Sequence, residues 1–209
     1  MLIAIEGIDG AGKATAARRL AARLRTVGRE VTEVAFPRYP VPPYGPLLRS
    51  ALRDSSGGTA GAHARALLFA LDRHAATPEL LAANESGDVV IDRWVWSNAA
   101  YLHAQIGEAS AAWIVDLEIA KLQLPVPELT VLVAGAVANA RARVQRRASR
   151  SERIVDVLEA EVTIQEGAAA AYEQFAEELG WTVIRNTGTV GEFHDAIDAV
   201  ADSVVGRAS

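Results

Sequence analysis

The residues with the clearest chemical potential lie within the first fifteen positions of the chain. Gly7, Gly10 and Gly12 are followed directly by Lys13. Glycines allow backbone N–H groups to turn toward an anion, and the start of a following helix favours negative charge at the same place. A lysine at this position can reach the outer phosphates of such an anion. The spacing indicates a phosphate-binding P-loop rather than a glycine-rich turn with a chance lysine.

The loop departs from the usual P-loop pattern at one position. Serine or threonine normally follows the lysine and holds magnesium, but Ala14 stands there and Thr15 comes one place later. An alanine side chain has no atom that can bind a metal. This departure leaves open a P-loop protein that binds a nucleotide without turning it over.

Two other groups of polar residues follow apolar runs that are typical of strands. Asp92 and Arg93 end one run, and Phe36-Pro-Arg-Tyr39 ends another. On its own, an acid followed by a base is more typical of a structural ion pair. Ligands gather beyond the carboxyl ends of parallel strands, however, so we expect both groups to lie beside the P-loop and to handle phosphate or metal.

Two residue pairs have the spacing of a single helical face. Phe69 and Arg73 are four apart, so an aromatic ring could stack on a base one turn from a guanidinium. Asn98 and Tyr101 are three apart and could offer an amide to a base edge and a ring to a sugar. Spacing alone also fits a core phenylalanine beside a solvated arginine, and ordinary packing of the second pair.

The densest positive charge in the chain lies between residues 141 and 153. The arginines of this segment are Arg141, Arg143, Arg146, Arg147, Arg150 and Arg153. A charge run is usually a solvated helix face, but this run is broken by small residues and ends in Asp156 and Glu159. A cationic lid over a P-loop suits phosphoryl transfer, where negative charge needs stabilising. We therefore predict an arginine-rich lid at about residues 146–156.

The rest of the chain has the pattern needed to position these groups. Apolar runs predict strands at 2–5, 31–36, 88–92, 129–133 and 181–185, and helical patterns separate them. Such alternation predicts an α/β fold with a five-stranded parallel sheet flanked by helices. We expect one domain over residues 1–209. The longest predicted helix, 62–85, contains Pro78, which should bend it or divide it in two.

Composition restricts the class of protein further. The chain has 209 residues, of which 50% are apolar, and a net charge of −5, so it lacks the basic surface expected for nucleic-acid binding. Without cysteine it can form neither disulfides nor a cysteine-based zinc site. No apolar run approaches the roughly 20 residues of a membrane span. The first strand begins at Leu2, which leaves no room for a signal peptide, so we expect a cytoplasmic protein with no membrane partner.

Taken together, these motifs give the chain a specific family resemblance. It resembles thymidylate kinases of the nucleoside-monophosphate kinase class, particularly the mycobacterial and actinobacterial type. The motifs that carry the resemblance are Glu6-Gly-Ile-Asp-Gly-Ala-Gly-Lys13, Phe36-Pro-Arg-Tyr39, Leu68-Phe-Ala-Leu-Asp-Arg73, Asp92-Arg93, Ser97-Asn-Ala-Ala-Tyr101 and the arginine-rich lid. They follow one another over nearly the whole chain.

The resemblance implies a P-loop nucleoside-monophosphate kinase fold and a defined reaction. The ATP γ-phosphate would pass to dTMP, giving dTDP and ADP with the help of Mg²⁺, in the synthesis of dTTP, and the protein would be a homodimer. The nearest alternative is a kinase for another nucleotide or a nucleoside. Such an enzyme would keep the P-loop and lid but need not keep Phe69, Arg73, Asn98 and Tyr101 together.

The resemblance also implies a role for each matching residue. The catalytic residues would be Lys13, Asp9, Arg93, Arg146 and Arg153. The ATP-binding residues would be Gly7, Asp9, Gly10, Ala11, Gly12, Lys13, Ala14 and Thr15. The dTMP-binding residues would be Asp9, Phe36, Tyr39, Phe69, Arg73, Arg93, Asn98 and Tyr101. Since Ala14 cannot bind magnesium, we expect the metal ligands to come from Asp9, Asp92, Asp156 and Glu159.

Overall fold

A parallel β-sheet forms the centre of the molecule in the computed structural model, which describes residues 1–52, 58–137, 140, 142 and 162–207. Its strands are β1 (Leu2–Glu6), β2 (Val31–Ala35), β3 (Asp88–Asp92), β4 (Leu129–Ala134) and β5 (Thr182–Arg185). They lie in the order β2-β3-β1-β4-β5, and every neighbouring pair is parallel. The predicted five-stranded parallel sheet is confirmed.

Helices connect successive strands and cover the sheet. They are α1 (Lys13–Thr26), α2 (Tyr44–Ala51), α3 (Gly58–Ser86), α4 (Val95–Ile106), α5 (Glu108–Val115), a π-helical segment (Asp116–Lys121), α6 (Val162–Leu179) and α7 (Val190–Arg207). Crossover helices of this kind are what allow strands to run parallel. Among the described residues, no helix is both long enough and apolar enough to cross a membrane.

The burial of the central strands explains their continuous apolar sequence. Every residue of β1 and β4 is buried, because each of these strands has a neighbour on both sides and helices above and below. Side chains of β1 alternate between two hydrophobic clusters: Ile3 and Ile5 pack in one, and Leu2 and Ala4 in the other. Burying each large aliphatic side chain contributes about 1.5–3 kcal/mol, so both faces of the sheet stabilise the fold.

The register of the sheet aligns three strand ends. Asp92 of β3 lies beside Ile5 of β1 and Ala35 of β2. The ladder continues one residue further, since the Phe36 N–H donates to Asp92 O at 2.9 Å and the Arg93 N–H donates to Ile5 O at 3.0 Å. The P-loop, Phe36 and Arg93 therefore begin at the same edge, next to the switch point where β1 separates β3 from β4.

Several predicted helix boundaries were wrong. Helix α3 continues through Pro78, so of the two predicted alternatives, a bend or a division, the division does not occur. The same helix already begins at Gly58, four residues before its predicted start at residue 62. Helix α5 ends at Val115, where the chain continues as the π-helical segment. Burial of one face of these helices against their neighbours outweighs the local cost of proline and glycine.

Candidate active site

The P-loop joins β1 to α1 in a conformation that requires glycine. Gly7 and Gly12 have φ angles of 138° and 117°. A Cβ atom on Gly7 would lie 2.5 Å from Val133 O, and one on Gly12 would lie 2.8 Å from Asn186 Nδ2. Asn186 follows β5, and its Nδ2 donates to Ala11 O at 2.6 Å. The loop is thus fixed from the far side by a residue that follows β5.

Lys13 begins α1 and is held within the loop. Its ammonium group donates to Ile8 O at 2.7 Å, and the side chain is buried. Burial lowers the pKa of Lys13 to about 8, and the positive charge of Arg93 acts in the same direction. A buried cation next to the N-terminus of a helix is well placed to bind an anion that restores its charge.

A second cation, Arg93, faces the P-loop from the end of β3. Its Nη2 atom lies 2.7 Å from Asp9 Oδ1, and its Nη1 donates to Ser97 Oγ at 3.1 Å. The Tyr101 hydroxyl donates to Asp9 Oδ2 at 2.8 Å, and the guanidinium carbon of Arg93 lies 5.3 Å from the centre of the Tyr101 ring. The strand-end residue Arg93 therefore lies beside the P-loop as expected, and Tyr101 joins it at Asp9.

Two properties make the arginine unusual. Arg93 has a φ of 71°, a left-handed conformation that costs energy in residues other than glycine and that often occurs at functional sites. Burial disfavours its charge, but nearby groups, above all Asp9, raise the pKa of Arg93 well above its ordinary value. Asp92 and Arg93 do not form the structural ion pair that their sequence allowed. The arginine pairs with the P-loop acid instead.

Asp9 is ionised in this cluster. Burial raises the pKa of Asp9, but the charges of Arg93 and Lys13 outweigh burial and hold the pKa well below its usual range. Burial and the charge of Asp9 raise the pKa of the Tyr101 hydroxyl, which therefore stays protonated. Lys13 and Arg93 thus contribute two positive charges next to the single negative charge of Asp9, a local arrangement suited to binding phosphate.

Beneath Arg93 lies a buried network that sequence reasoning missed. Ser97 Oγ donates to Glu6 Oε2 at 2.5 Å and lies 2.7 Å from the Tyr172 hydroxyl. The Trp94 N–H donates to Glu6 Oε1 at 2.9 Å. Burial raises the pKa of Glu6, against the opposing hydrogen bonds of Ser97 and Trp94. Glu6 and Ser97 belong to two separate sequence motifs, and nothing in the sequence indicates that their side chains are in contact.

The two predicted helical pairs meet on one side of the P-loop. Phe69 and Arg73 lie on α3, and Asn98 and Tyr101 lie on α4, which packs against α3. Arg73 is neither solvated nor unpaired, because Glu118 of the π-helical segment binds it through two hydrogen bonds of 2.6 and 2.8 Å. Neither the burial of Arg73 nor its partner could be read from the helical spacing.

The segment after β2 is held by a different ion pair. Asp72 accepts from the Arg38 N–H at 2.8 Å and from Arg38 Nε at 3.1 Å. The ring of Phe36 packs against Trp94, with centroids 5.3 Å apart, and is buried. Tyr39 is only half-buried, and the guanidinium carbon of Arg49 lies 5.6 Å from its ring centre. Tyr39 is thus the more accessible of the two predicted aromatic contacts.

One predicted metal ligand, Asp92, has a carboxylate oxygen that could bind a cation. Oδ1 of Asp92 is buried and lacks a hydrogen-bond partner in the described part of the chain. Magnesium commonly takes one or two carboxylates together with phosphate oxygens and water, and Asp9 supplies a second acid near the same strand edge. The described residues contain no cluster of three potential metal ligands, so a magnesium ion held by Asp92 would need further ligands from phosphate oxygens and water.

Four of the predicted site residues lie outside the described residues. They are Arg146, Arg153, Asp156 and Glu159. The base of the segment is described at Ala140, whose carbonyl oxygen lies against Gly10, where a Cβ atom would collide with it. The chain that leads into the predicted lid therefore starts in contact with the P-loop.

Comparisons with known proteins agree with this geometry. A family model described as "Thymidylate kinase" matches residues 5–197. The chain is 40% identical over 188 residues to a thymidylate kinase of Mycobacterium tuberculosis, covering 87% of each protein. It is 31% identical to a probable thymidylate kinase of Thermococcus kodakarensis, covering 99% of this chain and 100% of the relative. A solved thymidylate kinase from Candida albicans has the same fold, with a TM-score of 0.72 at 19% identity over 99% of this chain and 91% of the other.

Proposed function

This chain belongs to the thymidylate kinase family, and we propose that it transfers the γ-phosphate of ATP to dTMP, giving dTDP and ADP. It is a phosphotransferase with the P-loop nucleoside-monophosphate kinase fold. We further propose that residues 1–209 form one kinase domain. The observation that best supports the reaction is that two cations, the buried Lys13 and the partly buried Arg93, both interact with Asp9.

The donor half of the site is the P-loop. Backbone N–H groups from Gly7 to Thr15 and the ammonium group of Lys13 would bind the ATP phosphates. Phosphates would replace Ile8 O as the partner of Lys13, because a buried ammonium gains more from an anion than from a neutral carbonyl. The lid arginines Arg146 and Arg153 would stabilise the charge that spreads over the transferred group.

The acceptor half is built around Arg93. Its guanidinium is fixed by Asp9 and Ser97 and can bind the dTMP phosphate through its remaining N–H groups. Phe69 would stack on the base, with Arg73 and Asn98 at its polar edge. Phe36, Tyr39 and Tyr101 would surround the sugar and phosphate, and Tyr101 would crowd the position of a ribose 2′-hydroxyl. A phosphate dianion is already a nucleophile, so the acceptor needs orientation rather than a strong base.

Magnesium is the expected metal partner of ATP in this site. When bound, Mg²⁺ would neutralise part of the negative charge of the phosphates. Asp9 and Asp92 would hold it, together with Asp156 and Glu159 from the lid. Ala14 leaves the metal without the usual hydroxyl ligand, so these carboxylates take that role, and Thr15 would contact phosphate.

We propose that the chain is cytoplasmic and forms a homodimer through α2 to α5. Large apolar side chains on these helices remain exposed in the single chain, among them Leu47, Leu67 and Trp113. Exposed apolar area on adjacent helices is typical of a surface that a second copy covers. Nucleic acid and membranes are not expected among its partners.

An assay of ADP release against several acceptors tests the proposed reaction. We expect transfer to dTMP, weaker transfer to dUMP, and little transfer to CMP, GMP or thymidine. Lys13→Ala should abolish transfer to every acceptor while leaving the far-ultraviolet circular dichroism of the protein unchanged. Activity on thymidine without activity on dTMP would refute the proposal. ATP binding by the wild type without transfer to any acceptor would support a non-catalytic nucleotide-binding protein instead.

A further inference from the structure

A buried acid from the π-helical segment lies behind the proposed base-binding pair. Glu118 is the one buried side chain of that segment and is 0% exposed. Its Oε2 accepts from Arg73 Nε at 2.6 Å, and its Oε1 accepts from Arg73 Nη2 at 2.8 Å. This two-point pair fixes the plane of the guanidinium, which is only 2% exposed. Short π-helical segments inside α-helices are frequent at functional sites.

The same carboxylate determines which way the Asn98 amide points. Asn98 Nδ2 donates to Glu118 Oε1 at 2.7 Å and to Ala66 O at 2.9 Å. Both of these partners can only accept, so the amide nitrogen must face them and both of its N–H groups are used. In the described part of the chain, Asn98 Oδ1 and Arg73 Nη1 have no protein partner. They leave one acceptor and one donor for a ligand.

The acceptor and the donor lie where the base is expected. Ala66, Phe69 and Arg73 follow one another at spacings of three and four residues, so they share one face of α3. Asn98 touches that face through the Ala66 carbonyl. A base stacked on Phe69 would therefore have its polar edge near both groups.

We propose that Glu118 is a specificity-determining positioning residue that selects pyrimidines with a carbonyl at position 4. A donor from Arg73 and an acceptor from Asn98 match the O4 and N3–H groups of thymine and uracil. Cytosine presents the reverse order, an amino group at position 4 and an unprotonated N3, so it would place donor against donor and acceptor against acceptor. This inference rests on the proposed function, because it assumes that the acceptor base stacks on Phe69.

The uncharged variant Glu118→Gln tests the proposal. A glutamine amide must turn its NH₂ group toward an N–H group of Arg73 or Asn98, so the two side chains can no longer keep their present orientation together. For the wild type we expect kcat/KM to favour dTMP and dUMP over dCMP by about 10³-fold or more. In the variant we expect that preference to fall by about 10- to 100-fold, mainly through the KM for dTMP. The conservative variant Glu118→Asp, which keeps the charge, should restore part of it.

A matched control separates selection from general destabilisation. Asp88 is another buried acid in a two-point pair with an arginine, Arg29, and it lies at the opposite end of β3 from Arg93. Asp88→Asn should lower the melting temperature but leave the ratio between dTMP and dCMP unchanged. If Glu118→Gln reduces kcat/KM for dTMP and dCMP by the same factor, as a purely structural loss would, the proposal is overturned.

Binding to the wild-type protein covers the case in which Glu118→Gln does not fold. Isothermal titration with dTMP, dUMP and dCMP should show dUMP binding well and dCMP at least about 10²-fold more weakly than dTMP. Equal affinities for dUMP and dCMP would overturn the proposal without any variant. These titrations need no phosphoryl transfer, so an inactive wild type that still binds dTMP selectively would refute the proposed reaction alone, whereas equal binding of dTMP and dCMP would refute the base selection assigned to Glu118.

Discussion

The charge state of a single residue, Lys13, sets how the donor site should respond to pH. Burial lowers the pKa of Lys13 to about 8. Because the pKa is lowered, the free enzyme loses the lysine charge as the pH rises through about 8, whereas an ordinary lysine would keep it for two further pH units. Bound phosphates favour the charged form again, so the loss should affect ATP capture more than turnover at saturation.

We therefore predict that kcat/KM for ATP falls above about pH 8, while kcat holds to higher pH. Initial rates at saturating dTMP between about pH 6.5 and 9.5 measure both values. Lys13→Arg is the matched control, because its guanidinium stays charged throughout. Whatever activity that variant retains should lack the fall near pH 8. An identical fall in the variant would assign the pH dependence to another group.

At the level of single residues, type and spacing predicted which charged groups meet at the strand ends better than they predicted the groups that hold them in place. The meeting of Asp9, Lys13 and Arg93 follows from strand ends and the P-loop alone. Glu118 has no such signal, because its partners lie 45 and 20 positions away. A buried acid that binds distant polar side chains is visible only once the chain is folded.

At the level of secondary structure, the acceptor site depends on the junction between β1, β3 and α4. Glu6 ends β1, Arg93 follows β3, and Ser97 lies in the first turn of α4. Ser97 accepts from Arg93 and donates to Glu6, so one hydroxyl connects the strand that leads into the P-loop with the arginine of the acceptor site. Arg93 has a left-handed backbone conformation, which is unfavourable for a residue other than glycine. The hydrogen bond to Ser97 therefore helps to hold Arg93 in this conformation.

Ser97→Ala should raise the KM for dTMP about 3- to 10-fold and leave the KM for ATP nearly unchanged. The substitution removes one hydrogen bond from Arg93 and leaves Glu6 with a buried, less satisfied oxygen, a loss on the order of 1–3 kcal/mol. Ser203→Ala is the control, because the Ser203 hydroxyl donates only to Val200 O within α7. Steady-state kinetics with each substrate varied in turn measure the effect. Equal rises in both KM values would show that Ser97 supports the fold rather than Arg93.

The elements themselves were predicted to different degrees. Every strand was predicted to within one residue of both observed ends, and the continuous apolar runs of the buried central strands were the clearest signal. Helices were less well defined. Pro78 and Gly58 disfavour a helix locally, but packing against neighbouring elements keeps α3 continuous. The π-helical segment has no distinct residue pattern, so it was predicted as ordinary helix.

At the scale of the whole molecule, the strand order explains why the two substrates can meet. Strands β1 and β3 are parallel neighbours, so the P-loop and the proposed acceptor residue Arg93 follow them at the same edge of the sheet. The alternation of strands and helices predicted a parallel sheet, but not this order. Strand order depends on which crossovers pack best, and that is a property of the complete fold.

The surface of the whole molecule also bears on whether the protein is a single chain or a dimer. Trp113 of α5 is 40% exposed and packs edge-on against His63 of α3, with ring centroids 5.1 Å apart. Leu67, one turn further along α3, is 39% exposed. Two adjacent helices therefore present apolar side chains to solvent in the isolated chain, an arrangement that costs free energy unless another surface covers it.

We predict that Trp113→Glu converts the proposed homodimer into monomers, because a charge in a dimer interface would lose its water without gaining a partner. Sedimentation velocity of the wild type should show the dimer, and the variant should sediment as the monomer at the same concentration. Val126→Glu is the matched control: Val126 is 65% exposed in the loop before β4, outside the proposed interface, so this variant should remain dimeric. A dimer that persists in Trp113→Glu would place the interface on another face, whereas a monomeric wild type would refute dimerisation itself.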